Sequence, residues 1–427
     1  MNIFKNPDRS TWAELTQRPE IDNRSLTELV KNVLDDVKSN GDKAILNYTE
    51  KFDGVRLDSM LVSDEELKEA ETLLSMSLKS SIKQAAENIR TFHLNQVLHS
   101  EVIQTMPGIE CWRKSVGIEK VGLYIPGGSA PLFSTILMLG IPAKIAGCKE
   151  VILCTPPNKE GKLHPAILYC AQLVGIHKIF KVGGVQAIGA MAYGSESIPQ
   201  VYKIFGPGNQ YVMCAKQLIQ LDGISIDMPA GPSEVAVLAD ETANADFVAA
   251  DLLSQAEHGP DSQVLLISID EHLLEDVKQS VATQLEKLPR KDLAEKSLSN
   301  SKLVSIPTIE EAIALSNFYA PEHLIVSCKN AEVIGQKITN AGSVFLGNYS
   351  PESVGDYASG TNHTLPTKGY AHAYSGVSVD SFVKKITFQK LSESGLSKIA
   401  NTVIEMAEAE GLQAHANAVR IRIGERF

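Results

Sequence analysis

The 427-residue chain has six cysteines, Cys111, Cys148, Cys154, Cys170, Cys214 and Cys328, and no two are spaced as C-x-x-C. Such scatter argues against a disulfide framework, defines no metal site and suits reduced thiols in a packed interior. Basic clusters are missing too: 40 Lys and Arg stand against 51 Asp and Glu, a net charge of −11. With no run able to track a phosphate backbone, nucleic acid is not an expected partner. No apolar run approaches the ~20 residues of a membrane span, and the first residues lack a basic segment followed by an apolar one, so a cytoplasmic protein is expected. Neither G-x-G-x-x-G nor H-E-x-x-H occurs, so the usual dinucleotide fingerprint and the zinc-hydrolase helix are both absent.

What is present is 44% hydrophobic residues over a length that exceeds one ordinary core, which predicts a multidomain protein. Leu26, Leu29, Val30, Val33, Leu34 and Val37 fall on one face of a helix predicted over 25–38, with Ser25 and Glu28 as a capping box and Gly41 as its stop. A second long helix is predicted from about Ser63 into the nineties. From Val121 the period changes. β-Branched runs at 151–154, 179–182 and 201–205, and again at 235–239, 264–269, 324–326 and 344–346, alternate with helical segments. This is βαβ grammar and predicts two parallel sheets, neither long enough for a complete doubly wound domain. No internal repeat is visible. The tail, 377–427, reads as one or two charged helices, too short for its own core, that dock on the same chain or on a partner.

Several residues have chemical potential. The glycine-rich turns at 125–129 (IPGGS) and 206–209 (GPGN) each follow an apolar strand and precede a helix. They suit an anion at a helix start, or serve as tight βα turns. Gln255 and His258, three residues apart at a helix end, can share a metal, or His258 can simply satisfy the helix terminus. Glu322 and His323 follow Pro321, and two proton acceptors at one point suit acid/base work, or lie in a solvated loop. Asp356 and His363 occupy a polar loop longer than a simple connector. Glu410 and His415 flank Gly411 in the tail, where an exposed helix end is the plain alternative. Cys154, at the carboxyl end of a strand, is the best placed thiol for covalent aldehyde chemistry, against inert packing.

The run IDMPAGPSE at 226–234, followed by QAEH at 255–258, resembles the signature of the histidinol dehydrogenase family. The resemblance continues through YIPGGSAPLFST, VGGVQAIGAMAYG, KIFGPGN, YAPEHL, SVGDYASGTNH and the terminal EGLQAHANAVRIR, covering nearly the whole chain. It implies an NAD-dependent, zinc-containing enzyme that takes L-histidinol through the aldehyde to L-histidine. It implies zinc bound by Gln255, His258, Asp356 and His415, with Glu322 and His323 as catalytic acid/base residues. Ser233 and Glu410 are implied on the substrate beside His323 and the metal ligands, and Tyr124, Gln186 and Asn209 on NAD. The implied fold is two incomplete Rossmann-like parallel-sheet domains with small, mainly helical terminal extensions, assembled as an intertwined homodimer whose subunits share each active site. The expected partition is an arm at 1–22, a discontinuous domain of 23–122 with 236–376, a second domain at 123–235 and the tail at 377–427. The nearest alternative within that fold is a dihydroxypropanesulfonate dehydrogenase, against which Glu410 argues because a carboxylate suits an amine and repels a sulfonate. From a different class, a zinc hydrolase would need an open metal position and a water near Glu322.

Overall fold

Short strands, all but one followed by a helix, build two all-parallel sheets in the computed structural model, which describes residues 1–19, 23–97, 100–127 and 130–425. The first sheet takes Lys120–Tyr124, Glu150–Thr155, Lys178–Lys181, Lys203–Phe205 and Ser225–Ile226. In space their order is third, second, first, fourth, fifth. The second sheet repeats that order with Glu234–Ala239, Gln263–Ser268, Lys302–Ser305, His323–Ser327 and Ser343–Leu346, and adds Asn2–Lys5 at its edge beside Lys302–Ser305. Each sheet is therefore a five-strand version of the doubly wound order, whose direction reverses between first and fourth strands and leaves a crevice there. The likeness of the halves lies in topology, where the sequence shows no repeat. Glu234–Ala239 and Gln263–Ser268 are buried along their whole lengths, as parallel strands covered on both faces must be.

The opening helices differ in detail from expectation. The first is part of Asn23–Asp53 and is broken at Gly41, which adopts φ +50°. It starts before Ser25, so that residue is not its cap. The predicted single helix after Ser63 is two, Asp64–Leu73 and Met76–Leu94. Leu74 turns extended, and the Ser75 side chain caps the second helix by accepting from the Leu78 N–H. A capping box does occur, at Ser63 and Glu66. These helices pack on the first sheet: Leu67, Ile82 and Ile89 share a core with Val121 and Leu123, and Val30, Leu34 and Val37 share one with Ile188 and Met191. Gly189 admits that approach, because a Cβ there would already press on Leu34 and Val37. Packing thus groups 23–94 with the 120–226 sheet, where the sequence-based partition grouped 23–122 with 236–376.

The tail holds two helices, Glu393–Ala409 and Gln413–Arg420, closed on each other through Ile404, Ala407 and Ala416. An unexpected strand precedes them. Val383–Leu391 runs antiparallel to Ile109–Gly117, which pairs in turn with Ile103–Met106. The tail therefore docks on its own chain through a three-stranded antiparallel sheet.

Candidate active site

Glu322 and His323 sit at the amino end of the fourth strand of the second sheet, whose register pairs His323 with Val235 of the first. Ser233 and Glu234 hence lie at the start of the adjoining strand, and the four residues meet at the point where strand order reverses. Glu322 is 6% exposed and His323 3%, which overturns the solvated-loop alternative. Glu322 accepts from the Glu234 backbone N–H at 2.9 Å. His323 Nδ1 lies 3.2 Å from the Glu234 carbonyl oxygen. A carbonyl only accepts, so Nδ1 carries the proton. Nε2 then faces Asp356 Oδ1 at 3.4 Å, and both atoms are buried without a hydrogen-bond partner.

Burial pushes the Glu322 carboxyl up to about 8, while His323 and the Glu234 N–H act in the opposite direction. Burial alone would lower the His323 imidazole, but Glu322, Glu352 and Asp356 outweigh it and raise the ring to about 10. Asp356 is held below the ordinary carboxylate value despite its own burial, chiefly by its contact with His323.

Gln255 closes the helix Ala245–Ala256 and is fully buried. His258 stands in the following turn, its N–H donating to the Gln255 carbonyl at 3.2 Å. Asp356 belongs to a short helix, Glu352–Tyr357, within the stretch that reads as a loop in the sequence. His363 fixes that helix, with Nδ1 on the Asp356 carbonyl at 2.8 Å and Nε2 on Thr135 Oγ1 at 3.0 Å. Ligand atoms of His258, Asp356 and the unforeseen Glu352 lie within 4.8 Å of one another. Crowding around the His258 ring lowers its proton affinity, with Asp356 opposing, and a metal requires the neutral imidazole. Nitrogen and oxygen donors gathered beside the partnerless His323 Nε2 and Asp356 Oδ1 fit a borderline cation such as zinc.

Other predicted residues stand apart. Glu410 and His415 are exposed on the tail, and among the described residues the metal-capable cluster does not include His415. Ser233 is half-buried at the strand start. Two more residues, besides Glu352, escaped the sequence reading. Glu234 is 2% exposed and takes a fork from Arg18, Nε to Oε1 at 2.6 Å and Nη2 to Oε2 at 2.9 Å. The Arg18 guanidinium also lies over the Tyr319 ring at 4.1 Å. Glu234 falls inside the recognised motif, but a lone arginine in the arm carries no pattern.

At the carboxyl edge of the first sheet lies a cavity of ≈ 950 Å³ lined by Tyr124, Gln186 and Asn209 together with Asp53, Pro126 and Gly127. Tyr124 ends its strand, and its hydroxyl accepts from the Gly184 N–H at 3.1 Å. Gln186 lies in the first turn of the helix Gly184–Tyr193, with a buried, partnerless Oε1. Asn209 caps Gln210–Ile219, accepting from Tyr211 and Val212 at 3.1 and 3.2 Å. The turn before it depends on Gly206 at φ +127°, where a Cβ would overlap the Tyr124 carbonyl. A buried Lys216–Asp227 pair at 2.5 Å secures that turn, Lys216 donating to the Gly206 carbonyl and Asp227 accepting its N–H, each at 2.8 Å. Gly128 and Ser129 of the other glycine turn lie outside the described residues. Cys154 is wholly buried, and that burial drives its thiol far up, which suits packing rather than covalent catalysis. Among the described residues no helix is long and apolar enough to cross a membrane.

A family model described as histidinol dehydrogenase matches residues 16–423. Histidinol dehydrogenase of Bacteroides thetaiotaomicron is 58% identical over 99% of this chain and 99% of its own. That of Photobacterium profundum is 52% identical over 99% and 95%. The crystal structure of histidinol dehydrogenase from Elizabethkingia anophelis matches with a TM-score of 0.97 at 55% identity, covering 99% of this chain and 98% of the other.

Proposed function

The chain belongs to the histidinol dehydrogenase family and is an oxidoreductase of histidine biosynthesis; we propose that it carries L-histidinol through L-histidinaldehyde to L-histidine with two NAD per turnover, in the cytoplasm. The observation that carries this reading is the buried, partnerless pair His323 Nε2 and Asp356 Oδ1 beside the buried Glu322. Zinc would be held by Gln255, His258 and Asp356 of one chain and His415 of a second copy, and would supply a Lewis-acidic anchor for the imidazole and amine of histidinol.

In the first oxidation His323 accepts the hydroxyl proton at Nε2 while the carbinol hydride goes to the nicotinamide; a base needs the neutral ring, and a cation held beside Glu352 and Asp356 would offset the carboxylates that raise it. Its Nδ1 bond to the Glu234 carbonyl keeps the ring in the acceptor orientation. In the second, Glu322 takes a proton from the water that adds to the aldehyde, and the hydrated carbon gives its hydride to a second NAD. Ser233 and Glu410 orient the substrate, the Glu410 carboxylate accepting a hydrogen bond from its amine. Tyr124, Gln186 and Asn209 hold the nucleotide in the ≈ 950 Å³ cavity. Glu410 and His415, exposed on a tail tethered to its own chain, support a two-fold assembly in which each tail completes the other copy's site.

The test is purified protein with NAD and either L-histidinol or dihydroxypropanesulfonate. NADH and histidine from the first, with neither NADH nor acid from the second, is the expected result. Oxidation of the sulfonate alone would overturn the assignment.

A further inference from the structure

Glu352 has no part in the mechanism above, yet it is a carboxyl only 1% exposed. It opens the helix Glu352–Tyr357 four residues before Asp356, so the two share one helical face. Opposite stands the fully buried Gln255 amide. Against an ionised Glu352 carboxylate that amide is satisfied in one orientation. With its NH₂ toward Glu352 it donates at 2.6 and 2.9 Å to the two carboxylate oxygens, whereas its carbonyl in that place would oppose them. An amide carries its oxygen and nitrogen on two arms of one plane, and only the oxygen offers lone pairs to a metal. A partner that grips the NH₂ arm therefore decides which arm is left for a cation.

We propose that Glu352 is a positioning residue of the metal site, which holds the Gln255 NH₂ and thereby presents the Gln255 carbonyl oxygen beside His258 and Asp356. This rests on the metal reading given above. Proximity to His258 and Asp356 would also suit Glu352 as a ligand, since each oxygen keeps a lone pair beyond the one that accepts from Gln255; a ligand role would be independent of Gln255 and would show as additive losses in the double variant. Holding a ligand in its binding orientation is the usual work of groups just outside a metal's coordination shell.

The experiment is equilibrium zinc affinity of the full chain, by competition with a chromophoric chelator, for the wild type, Glu352→Asp, Gln255→Ala and the double variant. Glu352→Asp keeps the charge and withdraws the carboxylate from the amide. It is expected to weaken zinc binding ~10-fold or more, within the ~10- to 100-fold range of such partners. In the Gln255→Ala background the same change is expected to cost less than ~3-fold, because its effect passes through Gln255. Glu352→Leu, which leaves no acceptor for the Gln255 NH₂ and is read by the same cycle, serves if the Asp variant does not fold. Unchanged affinity in the single variant, or full additivity in the double, overturns the proposal. A wild-type chain without zinc affinity would remove the metal reading and this inference together, whereas wild-type binding with additive losses removes only the role of Glu352.

Discussion

His323 Nε2 and Asp356 Oδ1 face each other at 3.4 Å, buried and without hydrogen-bond partners. Buried polar atoms are nearly always satisfied, so two of them meeting at one point mark a place where something else is meant to bind. The backbone makes the arrangement possible: register sets His323 against Val235, and the Glu234 carbonyl and N–H take up His323 and Glu322 from the adjoining strand.

The two neighbours should fail separately. Glu322→Gln is expected to leave histidinol oxidation to the aldehyde largely intact and to slow aldehyde oxidation by ~10² to 10⁴, the usual worth of a general base. His323→Asn should impair the alcohol step. Steady-state rates with histidinol and with histidinaldehyde supplied separately check this, and equal losses in both steps would remove the division of labour.

Burial raises Glu322 to about 8, opposed by His323 and the Glu234 N–H and reinforced by the charges of Glu234 and Asp356. A base works as the carboxylate, so a raised pKa places the loss of activity on the acid side. kcat/KM for histidinaldehyde should fall about tenfold for each pH unit below that range and level off above it. The limb should vanish in Glu322→Gln, and a flat wild-type profile from about pH 6 to 9 would contradict the assignment.

Arg18 and Glu234 form a buried fork, their side chains 19% and 3% exposed. Arg18→Ala removes the charge partner of the buried Glu234 carboxylate, leaving it, among the described residues, only the Lys368 N–H at 2.7 Å, and is expected to cost about 3 to 5 kcal/mol of stability. The denaturant midpoint measures it, and a loss under about 1 kcal/mol would mean the pair contributes little.

Legibility in the sequence followed burial. Runs such as Glu234–Ala239 and Gln263–Ser268 are buried throughout, and their apolar residues announce them. Val383–Leu391 is exposed over nearly its whole length and carries Lys384, Lys385, Gln389 and Lys390, so it reads as a charged tail although it pairs along nine positions with Ile109–Gly117. Glu322 and His323 stood out because two proton acceptors were adjacent, but their burial is set by the strand on the other side. Glu352 gave no signal: a glutamate in a polar stretch acquires its partner only when a short helix turns it onto Gln255, about a hundred residues away in the chain.

The exposed Glu410 and His415 lead to a test of shared sites. Inactive His258→Asn and His415→Asn chains, unfolded together and reassembled at random, should regain about a quarter of wild-type activity if tails cross, because each mixed dimer keeps one intact site. No recovery, with mixed dimers confirmed by mass, would mean that each tail serves its own chain.

The most direct measurement of the central claim is the number of NADH formed per histidine, from L-histidinol with excess NAD at completion, with histidinaldehyde trapped and counted. Two NADH per histidine with no free aldehyde is the predicted result. One NADH per histidinol with aldehyde as the end product would contradict a site in which His323 and Glu322 serve successive oxidations.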